Sequence, residues 1–232
     1  MKKDIEQQIF KKSIELYEEI AEHYSETPGR NKPRVNIINE LTAVNGRVLD
    51  VGCGNGITSL EVPELAEYTG VDVSNKFIEI AKQKFPEKNF IHYEGITLPF
   101  NDNTFDWVLS FAALHHIPGS MRAEVVKEMK RVLKPGGKIV VSVWNLWDIH
   151  FMKYFLSNFW KTATRKNKMD WNDLEYPWKS PDGEVVGYRY FHMFRMHELK
   201  KIFKKEGLKV KEAGEIKFSN AKFRNLLIKL EK

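Results

Sequence analysis

Cysteine is nearly absent: Cys53 is the only one in 232 residues. An intrachain disulfide is therefore excluded, and so is a zinc site built on several cysteines. No residue is assigned to a metal. Long hydrophobic runs are absent as well. No window approaches the roughly 18 consecutive apolar residues of a membrane-spanning helix, so no membrane partner is expected. The start, Met1-Lys2-Lys3-Asp4-Ile5-Glu6, turns charged again before any apolar run. That pattern is not a secretory leader, and a cytoplasmic setting is expected. Internal repeats and low-complexity tracts are also missing. Hydrophobic residues at 42% and charged residues at 29% exclude a disordered or fibrous chain. The length suffices for one α/β domain with a sizeable core, or at most two small domains.

Charge is present but uneven. Residues 1–149 hold 18 Lys/Arg against 21 Asp/Glu, whereas residues 150–232 hold 19 against 10. The net charge of +6 is thus the sum of −3 and +9. A basic last third can attract a polyanion such as RNA. A lysine-rich solvated surface would give the same count.

Hydrophobic periodicity orders the chain. Ile5, Ile9, Leu16, Ile20 and Tyr24 fall near one face of an amphipathic helix over 4–24. A Pro- and Gly-bearing loop follows over 25–33, then a short helix over 34–43 and a turn at Asn45-Gly46. Strands are predicted at 47–51, 68–73, 89–93, 105–110 and 138–144, with helices at 75–84 and 120–133 between them. Such alternation is the pattern of a parallel sheet covered on both faces. Residues 145–195 break the rhythm and read as an insertion, helical over 149–161 and otherwise irregular. The pattern resumes with a helix at 196–206 and two strands near 208–217 and 223–230. The whole chain, 1–232, reads as one domain with an N-terminal helical segment, 1–43, and a substrate-binding insertion, 145–195.

The sharpest local signal is Val48-Leu49-Asp50-Val51-Gly52-Cys53-Gly54-Asn55-Gly56. A strand runs into alternate glycines, which let backbone and ligand approach closely, and Gly56 permits tight entry to a following helix. The spacing fits dinucleotide enzymes poorly, because they use GxGxxG. Asp50, ahead of the glycines, would repel a pyrophosphate and suits an amino-bearing ligand. Asp72 ends the next strand, 22 residues later, where an acid can accept both hydroxyls of a ribose. A nucleoside with a positive amino group and no phosphate fits both, namely S-adenosylmethionine. A loop carboxylate is the plain alternative for each.

Here the sequence resembles the class I methyltransferases. Val48–Gly56 looks like their first motif and Gly70-Val71-Asp72-Val73-Ser74 like their second. Leu98-Pro99-Phe100, Phe105-Asp106-Trp107-Val108, Leu114-His115-His116-Ile117 and Arg131-Val132-Leu133-Lys134-Pro135-Gly136-Gly137 continue the likeness. The resemblance implies a Rossmann-like α/β fold: a seven-stranded, mostly parallel sheet with helices on both faces and an antiparallel last strand. It further implies that Asp50 holds the methionine ammonium, that Gly52, Cys53 and Gly54 pass beneath the methionine part, and that Asp72 binds the ribose. Val73, Glu94, Ile96 and Thr97 would lie about the adenine, and Phe111 would wall the methionine side.

Substrate signals lie in the insertion. Tyr176-Pro177-Trp178-Lys179 and Gly187-Tyr188-Arg189-Tyr190-Phe191-His192-Met193-Phe194 interleave aromatic and basic residues. Such a mixture can stack on an unpaired base and hold an anion, or it can close a small aromatic core over the sheet edge. Together with Gly183-Glu184-Val185, Glu198-Leu199 and the segment Tyr17–Thr27, these residues resemble the tRNA methyltransferases that esterify 5-carboxymethyluridine at the wobble position. Two departures stand out: Pro28-Gly29-Arg30 is followed by no nearby tryptophan, and Ser219–Phe223 stands where the family carries Asn-Trp.

The resemblance implies tRNA as partner, and a small zinc-binding activator subunit. Arg189 would orient the substrate carboxylate or a phosphate through a bidentate contact. His116 would orient the substrate near the methyl, and Tyr190 and His192 would shape the base pocket. Each has a structural alternative. Cys53, inside the cofactor turn, is a poor candidate for covalent attack on a pyrimidine. Two other functions stay open: a methyltransferase for a quinone or lipid-like small molecule, and an inactive methyltransferase-fold scaffold.

Overall fold

Five apolar, β-branched runs between residues 46 and 144 form strands in the computed structural model, which describes residues 1–27, 46–164, 168–180, 182–218 and 223–232. They are β1 (Gly46–Val51), β2 (Ala66–Asp72), β3 (Asn89–His92), β4 (Phe105–Phe111) and β5 (Leu133–Trp144). Two more, β8 (Lys209–Ile216) and β9 (Asn225–Glu231), complete a seven-stranded sheet in the order β3-β2-β1-β4-β5-β9-β8. The first five strands pair in parallel, and β9 runs antiparallel to β5 and β8. This is the Rossmann-like sheet expected from the sequence.

The order places a topological switch between β1 and β4. The chain leaves β1 toward β2 and β3 on one side, then crosses to β4 and β5 on the other. Ligands of open α/β sheets bind in the crevice outside the carboxyl ends of strands at such a switch. The core beneath it includes Leu49, Val108, Val126, Met129, Val141 and Ile228, all fully buried.

Helix boundaries follow local chemistry. In α2 (Asn75–Lys84), Ser74 caps the start by accepting from the Phe77 N–H at 3.2 Å, and Lys82 and Lys84 sit in the last turn. Phe77, Ile78 and Ala81 form its buried face. Helix α3 (Met121–Val132) ends where expected, ahead of the Pro-Gly-Gly stretch. Helix α1 (Lys3–Glu26) is pinned at its first turn by the buried Glu6 carboxylate, which accepts from the Ser120 N–H (3.0 Å) and hydroxyl (2.7 Å). Gly119 next door suits this contact: it holds φ +49°, and a Cβ there would displace the Glu6 carboxylate.

Three expectations need correction or restriction. Gly56 opens only a 3₁₀ turn, Ile57–Glu61, not a full helix; Pro63 follows within a turn's length and discourages propagation. The insertion is more ordered than expected. After α4 (Ile149–Ala163) it forms an antiparallel hairpin, β6 (Asp173–Lys179) with β7 (Val185–His192), in a separate two-stranded sheet. Alternation there is masked by Pro177 and Gly187 and by a register shift at Trp178/Lys179. The helix expected at 34–43, Asn45 and Ser219–Lys222 lie outside the described residues. Helix α5 (Met196–Lys205) is close to its expected span.

Candidate active site

A cavity of about 460 Å³ opens at the switch point, within the usual range for small-molecule sites. Its floor is the turn after β1. The Gly52 and Cys53 N–H groups both donate to the Val71 carbonyl, at 2.8 and 3.1 Å, which holds the turn against β2. Gly52 has φ +78°, and a Cβ there would meet Ala113 Cβ at 2.5 Å. Gly54, also left-handed, would meet nothing within 4 Å, so the space above it is open. A ligand can therefore lie directly on this backbone.

Asp72 stands at the cavity edge. Its Oδ2 accepts from the Gly54 N–H (2.8 Å) and its Oδ1 from the Ser74 N–H (2.9 Å). Burial pushes its carboxyl above the usual range, against the pull of these donors. Val73, Tyr93, Gly95 and Phe111 also line the cavity. The wall after β4 holds a strained residue: Ala112 has φ +56° and donates its N–H to the Ser142 carbonyl at 2.9 Å. Left-handed non-glycine residues cost of order 1–3 kcal/mol and gather at functional sites.

The opposite wall comes from the hairpin and from α1. Strand β7 alternates. Arg189 and Phe191 turn toward the cavity side, where Phe191 stacks on Trp144 with 5.3 Å between ring centroids. Arg189 is 4% exposed and boxed by rings, with its guanidinium carbon 4.8 Å from the centroid of Trp178, 5.1 Å from Phe191, 5.4 Å from Tyr176 and 5.9 Å from Trp144. It forms no ion pair among the described residues, and its buried Nε meets no acceptor. His116 lines the cavity and is held from two sides: Nδ1 donates to the Tyr190 carbonyl (3.1 Å), and Nε2 meets the Tyr17 hydroxyl at 3.0 Å.

A methyltransferase-domain family model matches residues 49–141. A tRNA (carboxymethyluridine(34)-5-O)-methyltransferase of Schizosaccharomyces pombe is 29% identical over 86% of this chain and 90% of its own length. A demethylmenaquinone methyltransferase of Staphylococcus aureus is 39% identical over a shorter stretch, 40% of this chain and 41% of its own length. A solved S-adenosylmethionine-dependent methyltransferase of Methanosarcina mazei superposes with a TM-score of 0.69 at 23% identity, over 85% of this chain and 97% of that one. The chain carries a methyltransferase domain over residues 49–141, on the fold of the solved S-adenosylmethionine-dependent methyltransferase. It spans about a third of the length of the plant and human relatives it matches.

The cavity collects many, but not all, of the residues singled out from the sequence. Gly52, Cys53, Gly54, Asp72, Val73, Phe111, His116 and Arg189 line it. Asp50 does not. It lies 1% exposed beneath the turn, and its Oδ2 accepts the Tyr68 hydroxyl at 2.9 Å. Glu94 and Thr97 are exposed, and Ile96 packs on the core, so of that loop Gly95 is the lining residue.

Tyr190 and His192 point to the other face of β7. The Tyr190 hydroxyl accepts from Arg122 at 3.2 Å, and only its carbonyl supports the site, through His116. His192 sits between Asp173 (2.7 Å) and Glu198 (2.8 Å). Sequence reasoning missed the α1 residues Phe10, Ser13, Ile14, Tyr17 and Tyr24, and Asn225 on β9. The apolar spacing of α1 announced a buried face, but not what it covers.

Cys53 is buried, and its thiol is pushed well above its ordinary pKa by burial, then by Asp72 and Asp50. It is held as a thiol, which is a weak nucleophile. Among the described residues no helix is long and apolar enough to cross a membrane. No group of three or more His, Cys, Asp or Glu among them could hold a metal.

Proposed function

We propose that this methyltransferase esterifies the carboxylate of 5-carboxymethyluridine at the tRNA wobble position. The observation that carries the reading is Arg189: a buried cation with no carboxylate partner among the described residues, facing the cavity from an aromatic box. A buried unpaired charge is costly unless a partner arrives. An anionic group on the acceptor supplies that partner, and the surrounding rings suit the face of a base. The named activity of the Schizosaccharomyces pombe relative and the +9 balance of residues 150–232 point the same way.

The cradle fits S-adenosylmethionine, which supplies a methyl group on a sulfonium. Asp72 keeps lone pairs for ribose hydroxyls while two backbone N–H groups hold it in place. The Gly52–Gly54 backbone would run under the methionine part, Val73 and Gly95 would flank the adenine, and Phe111 would wall the sulfur side. Asp50 acts indirectly, by holding Tyr68 beneath the turn.

A carboxylate with a pKa of about 4 is already anionic at pH 7, so no general base is needed. The chain's task is alignment and exclusion of water. Arg189 orients the acceptor carboxylate, and His116, fixed by Tyr17 and the Tyr190 carbonyl, shapes the wall beside it. A zinc-binding activator belongs to the same reading as an added subunit in the assay.

A second reading, a quinone-like acceptor, draws on the Staphylococcus aureus relative and on Phe10, Phe77 and Phe223 in the lining. It leaves Arg189 without a partner. Acceptor-dependent release of S-adenosylhomocysteine tests the choice. Turnover is expected with tRNA bearing 5-carboxymethyluridine, with or without the activator, and not with unmodified tRNA or demethylmenaquinone. Turnover on the quinone alone would overturn the proposal.

A further inference from the structure

Asn225 opens β9 beside the carboxyl end of β5, paired with Trp144 in the ladder. It is 2% exposed and lines the cavity. Its Nδ2 donates to the Phe223 carbonyl at 3.5 Å, so the amide oxygen is the atom left over. That Oδ1 is buried and meets no donor among the described residues. A buried acceptor without a donor costs free energy, and the cavity is where a donor can come from. Its distance from the cofactor cradle decides which ligand. In the sheet order β1-β4-β5-β9, Asn225 is three strand spacings from the glycine turn, about 14 Å. Arg189 shares this part of the cavity: its guanidinium lies 5.9 Å from the ring of Trp144, the ladder partner of Asn225.

We propose that Asn225 is a specificity residue whose amide oxygen accepts the ring N–H of the acceptor uracil while Arg189 holds the carboxylate. The inference rests on the wobble-uridine reading. A uracil offers one ring donor, N3–H; a cytosine ring offers an acceptor there. A site that leaves a buried acceptor unpaired rejects the wrong ring more strongly than an apolar pocket can.

The test is a two-by-two cycle of kcat/KM. Wild type and Asn225→Leu are assayed on anticodon stem-loop RNA carrying 5-carboxymethyluridine or its 3-deaza analogue, in which C–H replaces N3–H. Wild type is expected to lose about 10- to 100-fold on the analogue. Asn225→Leu is expected to show a similar loss on the uridine and almost no further loss on the analogue. S-adenosylhomocysteine affinity within about twofold of wild type shows an intact fold, with Asn225→Ala as the second variant. The wild-type comparison alone stays decisive if neither variant folds. Equal wild-type rates on the two acceptors, or a variant that still discriminates, would overturn the role of Asn225 and leave the function standing. Absence of wild-type ester on both would overturn the function, and this inference with it.

Discussion

Arg189→Met is expected to keep or slightly raise stability while destroying activity. Methionine keeps most of the side-chain length and removes the charge. In the free protein the guanidinium has no ion-pair partner among the described residues, and burying an unpaired ion costs several kcal/mol. Four rings repay part of this, at about 0.5–2 kcal/mol for each well-placed cation–π contact. The two nearly cancel, so the free variant should be as stable as wild type or better by about 1–2 kcal/mol. For a chain of this size each kcal/mol moves Tm by about 2–4 °C.

The bound state behaves oppositely. Without Arg189 the acceptor carboxylate is buried unpaired, at about 3–5 kcal/mol. At about 1.36 kcal/mol per tenfold, kcat/KM should fall between about a hundredfold and a few thousandfold. Affinity for S-adenosylhomocysteine should not change, because the proposed cradle does not include the β6–β7 hairpin that carries Arg189. Arg189→Lys should recover little, since an ammonium cannot make the forked contact. Scanning calorimetry and ester formation read the two quantities. A Tm that falls by more than about 5 °C, or kcat/KM within threefold of wild type, would refute the reasoning.

Gly52→Ala should abolish S-adenosylhomocysteine binding by calorimetry, because its Cβ would lie 2.5 Å from Ala113 Cβ at φ +78°; Gly214→Ala, with nothing within 4 Å, should bind normally. Cys53→Ala should keep activity within a few fold, and native protein should resist iodoacetamide, since burial holds Cys53 as a thiol; rapid labelling would contradict this. Burial pulls the His192 pKa down, but the hydrogen bonds that its ring donates to Asp173 and Glu198 outweigh it, so the folded value is raised. The stabilisation from charged His192 is then complete below the unfolded value, about 6.5, and is lost as pH rises through the higher folded value. Wild-type Tm should therefore fall across that window by more than that of His192→Gln, and parallel profiles would show that the ion pairs carry no stability.

Much of the sheet was legible because its strands are short apolar runs cut by turn residues, and α2 because Ser74, Phe77, Ile78 and Ala81 state both its cap and its face. The glycine turn, Asp72 and Arg189 were picked out by local pattern, and the structure brings them to one cavity. Failures came from direction and distance. One residue's step along β7 sends Arg189 to the cavity and Tyr190 to Arg122, and nothing in Arg-Tyr-Phe-His states which set faces inward. Asp50 is claimed by Tyr68, a partner 18 residues away on the neighbouring strand. His192 was open to both a pocket role and a structural one; Asp173 and Glu198, within 2.8 Å of it, favour the structural one. The contributions of Tyr17 and Asn225 depend on packing across the whole chain: Tyr17 meets His116, 99 residues away in sequence.

Product identity is the most direct test of the acceptor. Protein, methyl-labelled S-adenosylmethionine and tRNA carrying 5-carboxymethyluridine would be incubated, with and without the activator, and the digested nucleosides resolved by mass spectrometry. The expected product is a single labelled nucleoside, the methyl ester of 5-carboxymethyluridine, whose label is released by mild alkali. Label that survives alkali on a ring or ribose atom, or its absence from the RNA while S-adenosylmethionine still binds, would contradict the assignment of a carboxylate acceptor.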